Sequence, residues 1–282
     1  MCFGVRDAIS LAKRVVKSRP LTVLGELVHN ATVLKDLGDR GVRFEAQPGE
    51  VETETVMITA HGASERAKSR ARESGLDLKD ATCPLVHYAH MQVRQLATDG
   101  YHPVVIGCCG HVEVRGLTED LVECDVVLSE GEIDALTPRQ RFGVVSQTTQ
   151  PIARVHELVG YIKARYPSSE VRFVDTVCQP TKQRQSAAEE LARQSDVVLV
   201  VGGANSNNTH ELARTCRRFC DEVHHVQGPN NVRVEWLPET GTLGITAGTS
   251  TPDVLIDAVE ARVQELREIS REKFSQSRVA LA

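Results

Sequence analysis

An internal repeat registered on three cysteines constrains the fold of this chain more than any other feature of its sequence. Cys83 and Cys178 each open a stretch with helical periodicity, and an apolar run typical of a buried parallel strand follows each stretch. The two runs end at Gly107 and Gly202, and both glycines lie 24 residues after their cysteine. The equal spacing predicts that the two segments fold alike.

A third copy of the repeat begins at Cys2. His111 and Ser206 both lie 28 residues after their cysteines, while Gly25 and His29 lie 23 and 27 residues after Cys2. Each copy also contains a later strand that ends in small polar residues before another helix. These later strands are predicted at residues 56–59, 142–145 and 243–246.

Strands that alternate with helices indicate right-handed crossovers and parallel sheets, so the predicted fold class is α/β. We expect three similar α/β domains, 1–80, 81–175 and 176–282, the last with a C-terminal helix and tail, in a pseudo-threefold trefoil. Ligands bind at the carboxyl ends of parallel strands, which would bring the three cysteines together at the centre. A lead strand precedes Cys83 and Cys178 but not Cys2, so the lead strand of the first domain is expected to be missing.

Composition and charge exclude several classes of partner. The chain has 33 Lys and Arg against 38 Asp and Glu, a net charge of -5, and no dense basic patch, which argues against a nucleic-acid ligand. The longest aliphatic runs, such as 197–201, are far shorter than the ~20 residues of a membrane helix. Charged residues are spread through residues 1–20 and leave no hydrophobic core of a signal peptide, so a cytoplasmic location without a membrane partner is expected.

Three converging cysteines at helix starts indicate a metal centre. A helix N-terminus lowers the pKa of a thiol, which makes Cys2, Cys83 and Cys178 candidate metal ligands. Soft thiolates suit either zinc or an iron-sulfur cluster. A 4Fe-4S cluster on three cysteines leaves one iron free to bind a substrate oxygen as a Lewis acid. The remaining cysteines are interpreted as small core residues; they are Cys108, Cys109, Cys124, Cys216 and Cys220.

Polar residues at the predicted strand ends surround the cysteines and form a candidate binding site. They are His29, Asn30, His61, His111, Glu113, Thr148, Thr149, Thr181, Ser206, Asn207, Asn208 and Ser250. Hydroxyls, amides, imidazoles and helix N-terminal amides together supply enough donors to hold a diphosphate. Glu113 lies two residues from a strand-end histidine and is the candidate proton donor in an apolar pocket.

With these residues laid out, the chain resembles the 4-hydroxy-3-methylbut-2-enyl diphosphate reductase family, also called LytB, over nearly its whole length. The resembling segments are 2–9, 28–30, 60–62, 80–86, 110–116, 146–149, 176–178, 205–209 and 246–250. The resemblance implies three α/β domains around a central iron-sulfur cluster and a place in the non-mevalonate route to isoprenoid precursors.

The resemblance also implies a role for each site residue. The 4Fe-4S cluster would be held by Cys2, Cys83 and Cys178, with Glu113, His111 and Thr148 as catalytic residues. The substrate-binding residues would be His29, His61, His111, Thr148, Thr181, Ser206, Asn207, Asn208 and Ser250. Two electrons from ferredoxin or flavodoxin and two protons would remove the substrate hydroxyl as water, giving isopentenyl and dimethylallyl diphosphate.

Three alternatives remain open from the sequence. One is a three-cysteine cluster enzyme similar to quinolinate synthase, against which the pair Thr148-Thr149 and the segment 206–208 favour a diphosphate ligand. Another is a non-enzymatic iron-sulfur protein that senses oxygen or redox state, which the short segment before Cys2 suggests. The third is a zinc site on the same cysteines.

Overall fold

The computed structural model describes residues 1–46, 48–238 and 240–279, so the last residues of the predicted C-terminal tail lie outside the described residues. The chain forms two compact units. The larger unit holds residues 2–28 and 32–182, and the smaller unit holds Met1, His29–Ala31 and the described residues from 183 onward. Among the described residues, no helix combines the length and the apolar character needed to cross a lipid bilayer.

Strands and helices alternate along the described chain, as the repeat predicts. The strands are β1 Leu21–Leu24, β2 Val42–Glu45, β3 Thr55–Ile58, β4 Asp77–Asp80, β5 His102–Ile106, β6 Asp125–Val127, β7 Arg141–Ser146, β8 Glu170–Phe173, β9 Val197–Val201, β10 Glu222–Val226 and β11 Leu243–Ala247. The helices are α1 Phe3–Val16, α2 Ala31–Asp39, α3 Glu65–Glu73, α4 Pro84–Thr98, α5 Val112–Thr118, α6 Glu130–Asp134, α7 Ile152–Arg165, α8 Gln179–Arg193, α9 Asn207–Cys216 and α10 Asp253–Val279. Short 3-10 turns occupy Pro48–Glu50, Pro229–Asn231 and Val234–Trp236.

The described strands form three sheets, and every pairing in them is parallel. The larger unit contains two four-stranded sheets, in the orders β2-β1-β3-β4 and β6-β5-β7-β8. The smaller unit contains a three-stranded sheet in the order β10-β9-β11. Each sheet falls within one of the stretches 1–80, 81–175 and 176–282. Those three domain boundaries stay a prediction, because the contacts within the chain divide it into two compact units and not three.

The lead strands before Cys83 and Cys178 belong to the sheets that precede these cysteines. β4 pairs with β3 at the edge of the first sheet, and β8 pairs with β7 at the edge of the second. The first sheet has four strands, and β4 is one of them. That the first domain lacks a lead strand before Cys2 stays a prediction. Sequence spacing places the lead strand near its cysteine but does not tell with which sheet it pairs.

Apolar side chains cover both faces of the second and third sheets, as continuous aliphatic strands require. On one face of the second sheet, Phe142 and Leu158 belong to a buried cluster formed with α7. On its other face α4 and α5 contribute a second cluster that includes Leu96. Helices α8 and α9 cover one face of the third sheet, and α10 covers the other with Val259. The covered faces leave the carboxyl ends of the strands as the place for polar side chains.

Candidate active site

The three predicted cysteine ligands all lie in the larger unit, each at the start of a helix. Cys2 is the N-cap of α1, Cys83 is the N-cap of α4 with Pro84 as its first residue, and Cys178 directly precedes α8. None of them is in a disulfide, and all three are partly exposed. The charge of Cys2 acts on both Cys83 and Cys178, so the structure brings the three thiols into electrostatic range of one another.

Burial raises the pKa of Cys83, although the backbone amides of Leu85 and Val86 act to lower it. Burial likewise raises the pKa of Cys178, opposed by hydrogen bonds from Thr181. For Cys83 and Cys178, the expectation that a helix N-terminus lowers the thiol pKa is therefore wrong for the protein alone, because desolvation of the thiolate outweighs the helix amides. A bound cation reverses this balance, since coordination deprotonates a thiol outright.

The start of α1 leaves room for the Cys83 sulfur. A Cβ atom on Gly4 would lie 2.5 Å from the Cys83 Sγ, closer than van der Waals contact permits. Thr181, which is fully buried, places its Oγ1 3.0 Å from the Cys178 Sγ. Gly4 leaves space for the Cys83 sulfur, and the Thr181 hydroxyl contacts the Cys178 sulfur. Both features are consistent with a ligand site formed by these thiols. The donor set of three sulfurs matches a soft metal group.

The other five cysteines differ in burial, and only two of them are buried. Cys216 and Cys220 are buried in the core of the third sheet, which confirms their interpretation as core residues, and burial raises the pKa of Cys216 to about 11. Cys108 and Cys109 lie in the loop between β5 and α5, where Cys109 is exposed. Cys124 is partly exposed, and burial raises the pKa of its thiol.

A buried carboxylate stands beside the cysteines. Glu113, on the first turn of α5, is 1% exposed. Its Oε1 accepts a hydrogen bond from the backbone N–H of Thr148 at 2.6 Å, and its Oε2 accepts one from the Thr148 hydroxyl at 3.1 Å. Burial raises the pKa of Glu113 to about 7, and the two bonds from Thr148 act in the opposite direction. The negative charge of Glu113 in turn raises the pKa of Cys83 and Cys178, which places the carboxylate near both sulfurs.

Two of the predicted histidines lie together near this carboxylate. The rings of His61 and His111 meet edge to face, with centroids 5.5 Å apart. His111 is the N-cap of α5, and its Nδ1 accepts the backbone N–H of Glu113 at 3.1 Å. His61 belongs to the loop after β3, whose Ala60 carbonyl accepts the N–H of Cys83 at 3.0 Å. The larger unit thus gathers three cysteines, two histidines, Glu113, Thr148 and Thr181 at the ends of its strands.

The smaller unit carries the remaining predicted site residues around the start of α9. Ser206 is the N-cap of that helix and accepts the N–H of Thr209, and Asn207 is the first helical residue. Asn208 is 4% exposed, its Oδ1 accepts the N–H of Thr249 at 2.9 Å, and among the described residues its Nδ2 finds no partner. A buried amide donor beside a helix N-terminus is suited to an anion.

His29 and Ser250 belong to the same unit. The Ser250 hydroxyl donates to the backbone carbonyl of His29 at 3.4 Å. A Cβ atom on Gly203 would lie 2.4 Å from that carbonyl oxygen, so the loop after β9 needs a glycine there for the close approach. Asn30, beside His29, is buried.

Sequence reasoning overlooked two aspartates that shape the cysteine turns. Asp80 and Asp175 each lie three residues before a cysteine, and each accepts the backbone N–H two residues further on, from Thr82 at 2.9 Å and from Val177 at 3.1 Å. The equal offset of an aspartate from the cysteine in two copies of the repeat is the sequence signal that could have identified them.

The fold is α/β, and its larger unit brings three free cysteines close to a buried carboxyl group with a raised pKa. This combination is suited to a redox enzyme. A family model described as LytB protein matches residues 1–264, and the chain belongs to this family. The resemblance drawn from the motifs and the predicted α/β class are thereby confirmed, and the chain is an oxidoreductase.

Named relatives match along nearly the whole chain. The chain is similar to the 4-hydroxy-3-methylbut-2-enyl diphosphate reductase of Pelobacter propionicus, with 36% identity over 267 residues that cover 94% of this chain and 95% of that protein. The enzyme of the same name from Aquifex aeolicus is 35% identical over 274 residues, which cover 95% of this chain and 94% of that protein.

A solved E-1-hydroxy-2-methyl-but-2-enyl-4-diphosphate reductase from Plasmodium falciparum matches with a TM-score of 0.86 and 27% identity, covering 91% of this chain and 83% of that one. A solved structure of (E)-4-hydroxy-3-methyl-but-2-enyl diphosphate reductase, described as the terminal enzyme of the non-mevalonate pathway, matches with a TM-score of 0.65 and 33% identity. It covers 94% of this chain and 96% of that one.

Proposed function

We propose that this chain reduces 4-hydroxy-3-methylbut-2-enyl diphosphate to isopentenyl and dimethylallyl diphosphate in the non-mevalonate route to isoprenoids. The allylic C–O bond breaks, two electrons and two protons are taken up, and the hydroxyl leaves as one molecule of water. Proton addition at either end of the resulting allylic carbanion equivalent gives the two products. The names of the relatives support this substrate and reaction class.

The observation that carries the proposal is the state of Glu113. A carboxyl with a pKa of about 7 is protonated in a large fraction of molecules near neutral pH, which is the condition for a general acid. Its charge acts on Cys83 and Cys178, so the proton is held beside the two sulfurs. Glu113 therefore protonates the departing hydroxyl or the allylic carbon, and Thr148 orients its carboxyl group.

Cys2, Cys83 and Cys178 would hold a 4Fe-4S cluster, in agreement with the soft donor set and with the space that Gly4 leaves beside the Cys83 sulfur. When bound, such a cluster supplies electrons one at a time and offers an iron with an open position to the substrate hydroxyl. His61, which follows β3, and His111, which follows β5 as Glu113 does, bind the substrate, together with Thr181 beside Cys178.

The diphosphate group is assigned to the residues around the start of α9. The buried Nδ2 of Asn208 is a donor that an anionic oxygen would satisfy. Ser206, Asn207, Ser250 and His29 complete the proposed binding set. Neutral donors suit this group, since they bind a phosphate oxygen without requiring a second buried charge.

Electrons would come from a ferredoxin or flavodoxin, one at a time, as the family resemblance implies. The cytoplasmic location also stays a prediction. The relatives and solved structures described above are named as diphosphate reductases, which gives a quinolinate-synthase-like activity no support.

The proposal is tested by anaerobic oxidation of reduced viologen by iron-loaded protein, with and without 4-hydroxy-3-methylbut-2-enyl diphosphate. We expect oxidation that depends on the substrate, with both diphosphate products identified by mass spectrometry. A loaded cluster without substrate-dependent oxidation would contradict the proposal and favour the sensor hypothesis. A colourless protein that retains zinc would contradict the cluster assignment.

A further inference from the structure

The two cysteine turns at 80–83 and 175–178 share one hydrogen-bond pattern. In each turn the aspartate accepts the N–H of the residue two positions further on. The cysteine N–H then donates to a carbonyl of a neighbouring site loop: Cys83 to Ala60 and Cys178 to Thr148. The aspartate therefore sets the course of the backbone immediately before the sulfur.

A lysine binds the second oxygen of each aspartate, but the two lysines come from different places. Lys68, on α3, lies 2.9 Å from Asp80 Oδ2, and its side chain is 5% exposed. Lys182 lies 2.5 Å from Asp175 Oδ2, and its side chain is 25% exposed. Lys182 belongs to the helix that follows its own cysteine, whereas Lys68 reaches the turn from a separate element.

Because the Lys68 side chain is buried, its ammonium group has to be paired with an anion. A buried ammonium group is costly unless it is paired, and Lys68 meets two carboxylates, Asp80 and Glu65, the latter at 3.2 Å. Burial acts to raise the pKa of Asp80, yet the bonds from Thr82 and Lys68 hold it below its usual range. With its anionic form fixed, Asp80 binds both the N–H and the hydroxyl of Thr82, the residue before Cys83.

We propose that Lys68 is a positioning residue for Cys83: acting through Asp80 and Thr82, it holds the turn that aims the Cys83 sulfur at the metal centre. Removal of Lys68 leaves the Asp80 carboxylate, whose side chain is 31% exposed, without its cation. Asp80 then turns toward water, the Thr82 N–H loses its acceptor, and the Cys83 turn loosens. The inference rests on the proposed function only in taking Cys83 as a cluster ligand.

Four variants test this role. Lys68→Met removes the charge and keeps the buried stem, and Lys68→Arg restores a cation. Lys182→Met removes the matching, more exposed lysine. Lys79→Met is the control, because Lys79 stands next to Asp80 on β4 but its ammonium group pairs with Asp77, at 2.9 Å, and not with Asp80.

The first measurement is the rate at which loaded protein loses its visible absorbance to an iron chelator. Mutation of a residue that orients a metal ligand without binding the metal itself typically lowers metal affinity by about 10- to 100-fold. We expect Lys68→Met to lose the cluster at least about tenfold faster than the unmodified protein, Lys182→Met to show a smaller effect, and Lys79→Met none. Lys68→Arg should restore most of the retention.

The second measurement uses the apoprotein and needs neither cluster nor substrate. Iodoacetamide alkylation followed by peptide mass spectrometry reports the reactivity of each thiol. We expect Lys68→Met to raise the alkylation rate of Cys83 while that of Cys178 stays unchanged, and a selective change at one thiol separates positioning from general loss of stability. If all thiols react faster together as the melting temperature falls, the role is merely structural and the proposal is overturned.

Unchanged cluster retention and unchanged Cys83 alkylation in Lys68→Met would equally overturn it. Should that variant fail to fold, Asp80→Asn gives the same test, because the amide keeps an acceptor for Thr82 and loses only the charge that Lys68 binds. Selective exposure of Cys83 in Asp80→Asn supports the proposal, and its absence overturns it. If the unmodified loaded protein shows no turnover, the proposed function fails, while the result at Cys83 stands on its own.

Discussion

The loops that follow β5 and β9 occupy equivalent places in two sheets, yet one buries a carboxylate and the other an amide. Each strand is flanked by parallel neighbours on both sides, and each loop leads to an N-cap residue, His111 or Ser206. Two residues after that cap stand Glu113 and Asn208. Both side chains accept a backbone N–H from the loop after the adjacent strand, from Thr148 at 2.6 Å and from Thr249 at 2.9 Å.

The difference between the two side chains decides the chemistry of each loop. Burial raises the pKa of Glu113 to about 7, so that this position holds a transferable proton. Asn208 is neutral at every pH, and its buried Nδ2 remains a donor for an anion. Under the proposed function, the same backbone arrangement would serve proton delivery in one unit and anion binding in the other, and the two positions differ by the exchange of a carboxylate for an amide.

Glu113→Gln should have the largest effect, because it turns the first loop into a copy of the second. The amide oxygen can still accept the Thr148 N–H and the amide NH2 can donate to the Thr148 hydroxyl, but the group has no acidic proton to deliver, so kcat should fall by about 10²- to 10⁴-fold with little change in KM. Viologen-coupled assays measure both constants. Glu211→Gln is the control, since Glu211 is also a buried glutamate with a raised pKa but is paired with Arg214. Equal losses in both variants would contradict the assignment.

The pH dependence of stability should also distinguish the two loops. The folded-state pKa of Glu113, about 7, exceeds its unfolded value of 4.5, so its stabilising contribution is complete below pH 4.5 and is lost as the pH rises through 7. At pH 8 the ionised carboxylate should cost about 3 kcal/mol relative to pH 4. The melting temperature of the Glu113→Gln apoprotein minus that of the unmodified apoprotein should therefore increase as the pH rises. A constant difference across this range would show that Glu113 does not titrate there.

Asn208→Asp makes the reverse exchange and places a buried negative charge at the proposed diphosphate site. Like charges should raise KM for the substrate by roughly 30-fold, about 2 kcal/mol, while the cluster spectrum stays unchanged. Asn231→Asp is the control in the same unit, since Asn231 is exposed and accepts the N–H of Gln227. An unchanged KM in Asn208→Asp would remove this residue from the binding set.

Thr148→Val should have the smallest effect. It removes the hydroxyl bond to Glu113 and keeps the backbone bond. Because the hydroxyl acts to lower the pKa of Glu113, its loss should move the alkaline limb of the pH profile of kcat upward, by about one pH unit, while kcat below the limb falls less than about tenfold. A shift of that limb toward lower pH would contradict the role given to the hydroxyl.

The sequence by itself determined the parallel α/β organisation and the strand ends. The apolar run at 197–201 is β9, and the runs before Cys83 and Cys178 are β4 and β8. Cys2 and Cys83 cap helices and Cys178 directly precedes one, as the repeat predicts. These features follow from side-chain periodicity and from the preferences of residues at turns, which act between neighbours along the chain.

Only the tertiary structure decided which groups meet and how deeply they are buried. Thr148 binds Glu113 across 35 residues of sequence, and Lys68, on helix α3, pairs with Asp80 at the end of strand β4. Burial is also what raises the pKa of Cys83 against the helix amides that the sequence brings to it. Desolvation and pairing depend on packing between distant segments of the chain. The local sequence therefore identifies the candidate residues, and the fold determines whether each of them is charged.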